Sequence, residues 1–435
     1  MRVLWLCNIM LPVIAEHLGK EVNNKEGWLS GTYDRLKEAG FSIDDTEKLN
    51  LGVCFPVPST EDEFELTLPG IEAFGFYEDT ANPDRYDAGL EERLGKIVEK
   101  FKPDLVHCFG TEYPHTLAMT KAFPYPKKIL VSIQGLCYEY AKVYMAKLPE
   151  EIQNSRTFRD LLKHDSILEQ KAKFEQRGEY EKEALRNVCN IAGRTHWDYS
   201  CVATVKEVVR EKTEDDKIRY HFLNETLRSI FYNGTWDSQN CIPHSIFLSQ
   251  GDYPIKGLHF VLEAMPLILE KYPDTTLWIS GNNITKTDTL KEKIKISMYG
   301  KYLKNLIKKN NLQDKVHFLG RLDAEKMKQR FLDSHLYVCP SAIENSPNSL
   351  GEAMLLGVPA ISANVGGVSS IFRDKEDGLL FEMGNVHQLA DCILYMFEHP
   401  DKAEEYSKNA REHAKNTHNP EVNYRRLLEI YQEIV

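Results

Sequence analysis

The chain lacks an apolar run of the roughly 20 residues that a membrane-spanning helix needs, and its longest hydrophobic stretches are broken well short of that. It also lacks CxxC spacing among its nine cysteines, at positions 7, 54, 108, 137, 189, 201, 241, 339 and 392. Odd in number and scattered, they fit the reduced thiols of a cytoplasmic protein better than a disulfide framework or a zinc site. No basic tract stands out, and 54 Lys plus Arg against 65 Asp plus Glu leave a net charge of −11. That weighs against a nucleic-acid partner, whose phosphates call for a cationic face. There is no solenoid repeat and no low-complexity tract. The GxGxxG dinucleotide fingerprint is missing, and no Asp-x-Asp pair is placed to hold a metal.

What is present is a long alternation of apolar strands with helical spacing, at a length of 435 residues that suggests two or three domains. Met1-Arg2 followed by Val3 to Ala15 resembles the start of a signal peptide. Asn8 and Pro12 interrupt it and no small-residue cleavage site follows, so residues 2–7 read as a first, central β-strand. Further strands are expected at 52–57, 105–110, 128–135 and from 190, with helices over 34–40, 90–101 and 199–209. Gly27 and Gly31 leave room for a ligand near a helix start, or serve only a tight turn. His107, Gly110, Thr111, Glu112, Gln134 and Gly135 fall at the carboxyl ends of strands, where open α/β sheets bind ligands.

Residues 137–188 break the rhythm with a highly charged helical segment. It reads either as a solvated excursion or as the wall of a pocket for a second substrate. A second series begins at His244, with strands over 244–249, 276–281, 315–320, 335–339, 358–362 and 378–381. Residues 301–311 form a basic amphipathic helix, read as a solvated face rather than a membrane contact. The expected division is a first domain over 1–235, a second over 236–410, and a helical tail over 411–435 packing back on the first.

The chain is organised around residues 340–359. They leave the apolar strand Leu336-Tyr337-Val338-Cys339, cross a loop rich in Asn, Ser and Pro, and enter a helix stopped by Gly357 and Pro359. Glu344 and Glu352 bracket the loop. A strand end meeting a helix N-terminus suits a phosphate-bearing ligand, because unpaired amides and the helix dipole both point at it. Ser349-Leu350-Gly351-Glu352 is equally a capping box, in which Glu352 would only satisfy backbone amides.

The second half resembles the family-4 retaining glycosyltransferases of the GT-B fold. The pieces that carry the resemblance are Lys256-Gly257, Gly281, Phe318-Leu319-Gly320-Arg321 and Val338-Cys339-Pro340-Ser341. The Glu344/Glu352 pair, Gly357-Val358-Pro359, Gly366-Gly367 and Asp377-Gly378 follow in the family's order. The first half matches more loosely. The resemblance implies an α/β fold of two Rossmann-like, doubly wound domains facing a cleft. It implies transfer of a sugar from a nucleoside diphosphate donor, UDP- or GDP-type, to a glycan or lipid-linked acceptor. No cofactor or metal is implied beyond that co-substrate. Glu344 would be the catalytic carboxylate at the donor sugar and Glu352 would take the ribose hydroxyls. Ser349 and Leu350 would offer amides to the diphosphate, Lys256 would neutralise it, and Gly31 would let it approach the first domain. Gln134 and Arg321 complete the expected donor-binding set.

Two departures stand out. The family carries an arginine five positions before the lysine, where this chain has Gly251, leaving Arg321 or Arg194 as substitutes. The family's histidine after the strand at 129–133 is Gln134, which can hydrogen-bond a hydroxyl but cannot act as acid or base. The expected setting is the cytoplasm, at the inner face of the membrane where a lipid-linked acceptor would call for peripheral association, in synthesis of a surface polysaccharide or glycoconjugate. A nucleotide-sugar epimerase of the same fold and a non-catalytic binding partner are the competing readings.

Overall fold

The structure, a computed structural model, describes residues 1–20, 27–43, 48–207 and 219–435. The chain folds as two compact units, one of Met1–Glu139, Lys173–Arg228 and His418–Val435, the other of Tyr140–Ala172 and Ser229–Thr417. Residues 140–172 therefore belong with the second unit, where the sequence order had placed them with the first. An inserted helical stretch joins whichever core accepts its apolar side chains, and position along the chain does not reveal that.

Through residue 222 the chain runs β1 (Arg2–Leu6), α1 (Pro12–His17), α2 (Gly27–Glu38), β2 (Asn50–Val57), β3 (Phe64–Leu68), β4 (Ile71–Tyr77), α3 (Gly89–Phe101), β5 (Leu105–Phe109) and α4 (Pro114–Ala122). It continues with β6 (Ile129–Ser132), α5 (Cys137–Val143), α6 (Glu150–Asn154), α7 (Phe158–Lys163), α8 (Ile167–Asn187), β7 (Asn190–Gly193), α9 (His196–Glu207) and β8 (Arg219–Phe222). The end of the helix expected over 199–209 lies outside the described residues.

The first sheet has the order β3-β4-β2-β1-β5-β6-β7-β8. β1 is central because its side chains are apolar on both faces, as a strand covered by helices on each side requires. The β3–β4 pair, joined across Pro69-Gly70, is the one antiparallel pairing among the described strands of this sheet and was not anticipated. Its edge strand alternates polar and apolar residues, while β4 is apolar apart from Glu72. The last helix, α17 (Pro420–Ile434), is part of this unit. Asn419 caps it, its side chain accepting from the amides of Glu421 and Val422. Tyr431 of α17 is fully buried, and its hydroxyl accepts from Trp5 Nε1 at 2.9 Å and meets His107 Nδ1 at 2.7 Å. His107 Nε2 reaches Ser132 Oγ at 2.7 Å. Burial pushes the imidazole down to about 3, so it is neutral. His107 thus ties strands to a helix instead of facing a ligand.

The second unit continues with β9 (Ile242–Leu248), α10 (Leu258–Lys271), β10 (Thr276–Ser280), α11 (Leu290–Lys295), α12 (Met298–Lys309), β11 (Val316–Gly320) and α13 (Ala324–Leu332). Then come β12 (Ser334–Cys339), α14 (Asn348–Leu356), β13 (Ala360–Ala363), β14 (Leu379–Phe381), α15 (Val386–Glu398) and α16 (Pro400–Thr417). Its six strands are ordered β11-β10-β9-β12-β13-β14, and all are parallel. The strand order reverses between β9 and β12. Loops leaving those two strands diverge to opposite faces, which opens the crevice where sheets of this kind bind ligands.

Candidate active site

The loops after β9 and β12 meet at this switch point. Lys256 ends a short turn that Gly257 closes in the left-handed conformation, φ 72°. A Cβ at position 257 would collide with the Pro340 carbonyl oxygen, so glycine lets the two loops touch. The Ala342 amide donates to the Ile255 carbonyl at 2.7 Å, and the Gly367 amide to the Glu344 carbonyl at 3.0 Å. Three loops are thereby locked around one point.

At that point Lys256 Nζ lies 2.6 Å from Glu344 Oε1. The Ser341 hydroxyl donates to the same oxygen at 2.7 Å. Burial pulls the Lys256 ammonium down, but the Glu344 carboxylate, with Tyr253 and Tyr140, overrides it and holds the pKa well above its ordinary value. The cation is permanent at neutral pH. Behind it, the Tyr337 hydroxyl lies 3.1 Å from Ser249 Oγ and donates to Ser349 Oγ at 2.7 Å, joining β9, β12 and α14.

α14 begins at Asn348 with Pro347 as its cap, and no side chain caps it. This overturns the capping-box reading, since the Ser349 hydroxyl is engaged by Tyr337 and Glu352 sits a turn further in. Glu352 is buried in the helix. The expected role of the Leu350 amide is also revised: it donates to the Pro347 carbonyl at 3.0 Å, and Gly351 donates to the same oxygen at 3.2 Å. A Pro carbonyl one turn back is available because the helix opens tightly. Asn348 Oδ1 is a buried acceptor without a hydrogen-bond partner among the described residues. Asn348, Ser341 and Tyr337 were given no role in the sequence reading; an Asn beside a helix start is too common there to signal a site.

The structure brings Lys256 and Glu344 together and sets Ser349 and Glu352 on the helix that follows the Glu344 loop, but it does not bring Arg321 to them. Arg321 is exposed and follows β11, the edge strand two places from β9, roughly 10 Å across the sheet. Gly251 lies inside the unit, where a Cβ would come within 2.7 Å of Leu258 Cδ2 and 3.2 Å of Ile279 Cγ2. The space an arginine stem would need is filled by the core.

Gly31 and Gln134 belong to the first unit. Gly31 lies inside α2, which starts at Gly27, earlier than expected; a Cβ there would stand 2.7 Å from the Leu227 carbonyl oxygen and 2.8 Å from that of Thr226. Close helix packing accounts for this glycine. Gln134 Oε1 accepts from Arg194 Nη2 at 3.1 Å. Arg194 is itself buried and paired with Glu225 at 2.6 Å, so it is not free to replace a phosphate-binding arginine. Both line an open pocket at the ends of β5, β6 and β7.

Residues 244–413 match the family described as Glycosyl transferases group 1. A glycosyltransferase of Haemophilus influenzae is 26% identical over 225 residues, covering 50% of this chain and 59% of that protein. Phosphatidyl-myo-inositol mannosyltransferase of Mycobacterium leprae is 25% identical over 162 residues, 37% of this chain and 39% of that one. The chain spans about half the length of the curated relatives it matches, 59%, 43% and 46% for three of them. Among solved structures, a sucrose-phosphate synthase from Thermosynechococcus elongatus superimposes with a TM-score of 0.70 at 17% identity, over 100% of this chain and 99% of that one. HepE of Anabaena, solved with UDP, gives 0.64 at 14% identity over 100% of both chains. Those two likenesses extend the fold over both units, and the resemblance to the group 1 glycosyltransferases is carried by residues 244–413 of the second.

Proposed function

We propose that this protein transfers a hexosyl group from a nucleoside diphosphate sugar to a glycan or glycolipid-type acceptor, with anomeric configuration retained and without a metal cofactor. The observation that carries this reading is the Lys256–Glu344 pair at the switch point of the second sheet, beside the start of α14. As the glycosidic bond breaks, the leaving diphosphate gains negative charge and the sugar becomes oxocarbenium-like. A fixed ammonium and helix-end amides stabilise the first change, and the Glu344 carboxylate faces the second, so both act more on the transition state than on the ground state. In this reading the Ser349 amide completes the diphosphate site and Glu352 accepts the ribose hydroxyls. Asn348 Oδ1 adds an acceptor for a donor hydroxyl. Relatives of the fold solved with UDP-glucose and with ADP support the donor class.

The acceptor is assigned to the first unit's cavity near Gln134, whose neutral Arg194–Glu225 lining suits hydroxyl groups. Work on a lipid-linked acceptor would set the protein at the cytoplasmic face of a membrane, in glycoconjugate synthesis. The test is a panel of UDP-, GDP- and ADP-sugars, read by saturation-transfer NMR for binding and by mass spectrometry for release of the nucleoside diphosphate. One or more donors should bind, and Glu352→Ala should weaken binding by about tenfold or more. Absence of any bound or cleaved donor, together with an unchanged Glu352→Ala protein, overturns the reading. The anomeric proton coupling of the product decides retention.

A further inference from the structure

Two short helices of the second unit carry their apolar stripes outward. Phe158, Leu161 and Leu162 of α7 are 61%, 53% and 65% exposed, and Leu290 and Ile294 of α11 are 78% and 54% exposed. The spacings i, i+3, i+4 on α7 and i, i+4 on α11 put each set on one helix face. Such a stripe normally faces a core, yet here it faces solvent. The two helices touch, so the stripes form one patch.

The orientation is fixed from the opposite side. Asp160 of α7 is buried, its Oδ2 accepting from the Thr157 amide at 2.9 Å and from the Met298 amide at the head of α12 at 3.0 Å. α11 is closed by a capping box of Thr289 and Glu292. α7 cannot roll its apolar side inward without breaking the bond to Met298.

The charge around the patch is positive, in a protein whose net charge is −11. Lys163, Lys291, Lys293 and Lys295 are exposed, and no ion pair engages them among the described residues. Of the neighbouring acids Asp160 is buried and Asp165 pairs with Arg159 at 2.5 Å, while Asp288, exposed, and Glu292, which accepts from the Thr289 amide at 2.9 Å, keep their charge and are outnumbered by the lysines.

We propose that this face docks on an anionic lipid bilayer. The leucines, Phe158 and Ile294 enter the boundary between headgroups and acyl chains, and the lysines sit at the lipid phosphates. Apolar insertion combined with attraction to anionic lipid is the pairing such surfaces use. A second copy of the chain is a poor occupant, because a two-fold contact would set these lysines against their own counterparts. The proposal goes beyond the transfer reaction and stands without it.

The experiment is co-sedimentation of the full chain with phosphatidylcholine vesicles and with phosphatidylcholine–phosphatidylglycerol vesicles, at low and high salt. Binding to the anionic vesicles should exceed binding to the neutral ones by about tenfold and weaken with salt. Leu161→Ser/Leu162→Ser/Leu290→Ser and Lys291→Glu/Lys293→Glu/Lys295→Glu should each lower it by about tenfold. All six side chains are exposed, so both variants should keep the circular dichroism and thermal midpoint of the parent. Failure of the parent to bind anionic vesicles, or variants that bind like it, overturns the proposal. So does an oligomer, seen by analytical ultracentrifugation without vesicle binding, that the serine variant dissolves; that outcome assigns the face to a second copy. A silent donor panel with intact vesicle binding would reject the proposed activity and leave this surface standing.

Discussion

Lys256 and Glu344 are 88 positions apart in the chain and 2.6 Å apart in the second unit. Each is largely buried, and each compensates the other's charge for leaving water.

Removing one partner leaves the other uncompensated. Lys256→Met and Glu344→Gln should each lower stability by about 2 kcal/mol, less than a fully buried pair because both retain some solvent contact. The double substitution should cost less than the two singles together. Urea unfolding of the four proteins measures this, and strictly additive losses would show that the pair is not coupled. Lys256→Met should also lower kcat/KM by about 100-fold if the ammonium serves the leaving group.

Gly251→Arg places the family's missing cation back in sequence but not in space. The position is closed by Leu258 and Ile279, so the substitution should destabilise by about 1–3 kcal/mol without tightening nucleotide binding. Thermal melts and calorimetry decide it. A variant that is both stable and a tighter binder would mean the core opens there at little cost.

Glu181 of α8 is buried in the first unit, taking the Thr111 hydroxyl at 2.5 Å and the Tyr138 amide at 3.2 Å. Burial pushes its carboxyl up to about 8, Glu112 adding to the shift against those hydrogen bonds. With the folded pKa raised, its stability is fully present below the unfolded pKa and is lost as pH rises toward 8. Glu181→Gln should therefore flatten the decline in stability between about pH 5 and 8 and be the more stable protein above it, by roughly 3–5 kcal/mol. Parallel curves for parent and variant would refute the assignment.

Asp377 behaves oppositely. Burial favours its neutral form, but hydrogen bonds from His413 at 2.6 Å and from Arg373 at 2.7 Å to the second oxygen hold it down to about 2. A depressed pKa gives stability that is present above the unfolded value and lost as pH falls through the folded one. Asp377→Asn should cost about 2 kcal/mol at pH 7, and the difference should vanish near pH 2. A cost that stays constant from pH 7 to 3 would point to lost packing instead.

Much of the fold was legible because buried parallel strands such as 2–6 and 334–339 are apolar on both faces and cannot be mistaken for solvated loops. β3 and β4 were missed because the Pro69-Gly70 turn joins an edge strand to a run with little polarity. α8 looked solvated from its charge, yet Glu181, Ala184 and Leu185 are buried; a carboxyl that stays protonated is invisible in a charge count.

The sequence by itself determined two α/β series, a division near residue 235, and a loop and helix between two glutamates at the end of a strand. These follow from local pattern, since strand period, helix stops and glycine turns are set by neighbouring residues. Tertiary structure decided which unit residues 140–172 join, that α17 returns to the first sheet, and that Lys256 meets Glu344. It also decided that Arg194 is consumed by Glu225 and that α7 and α11 turn their leucines outward. Each of those outcomes depends on which distant surface a side chain finds, and residues far apart in sequence carry no local signal of meeting.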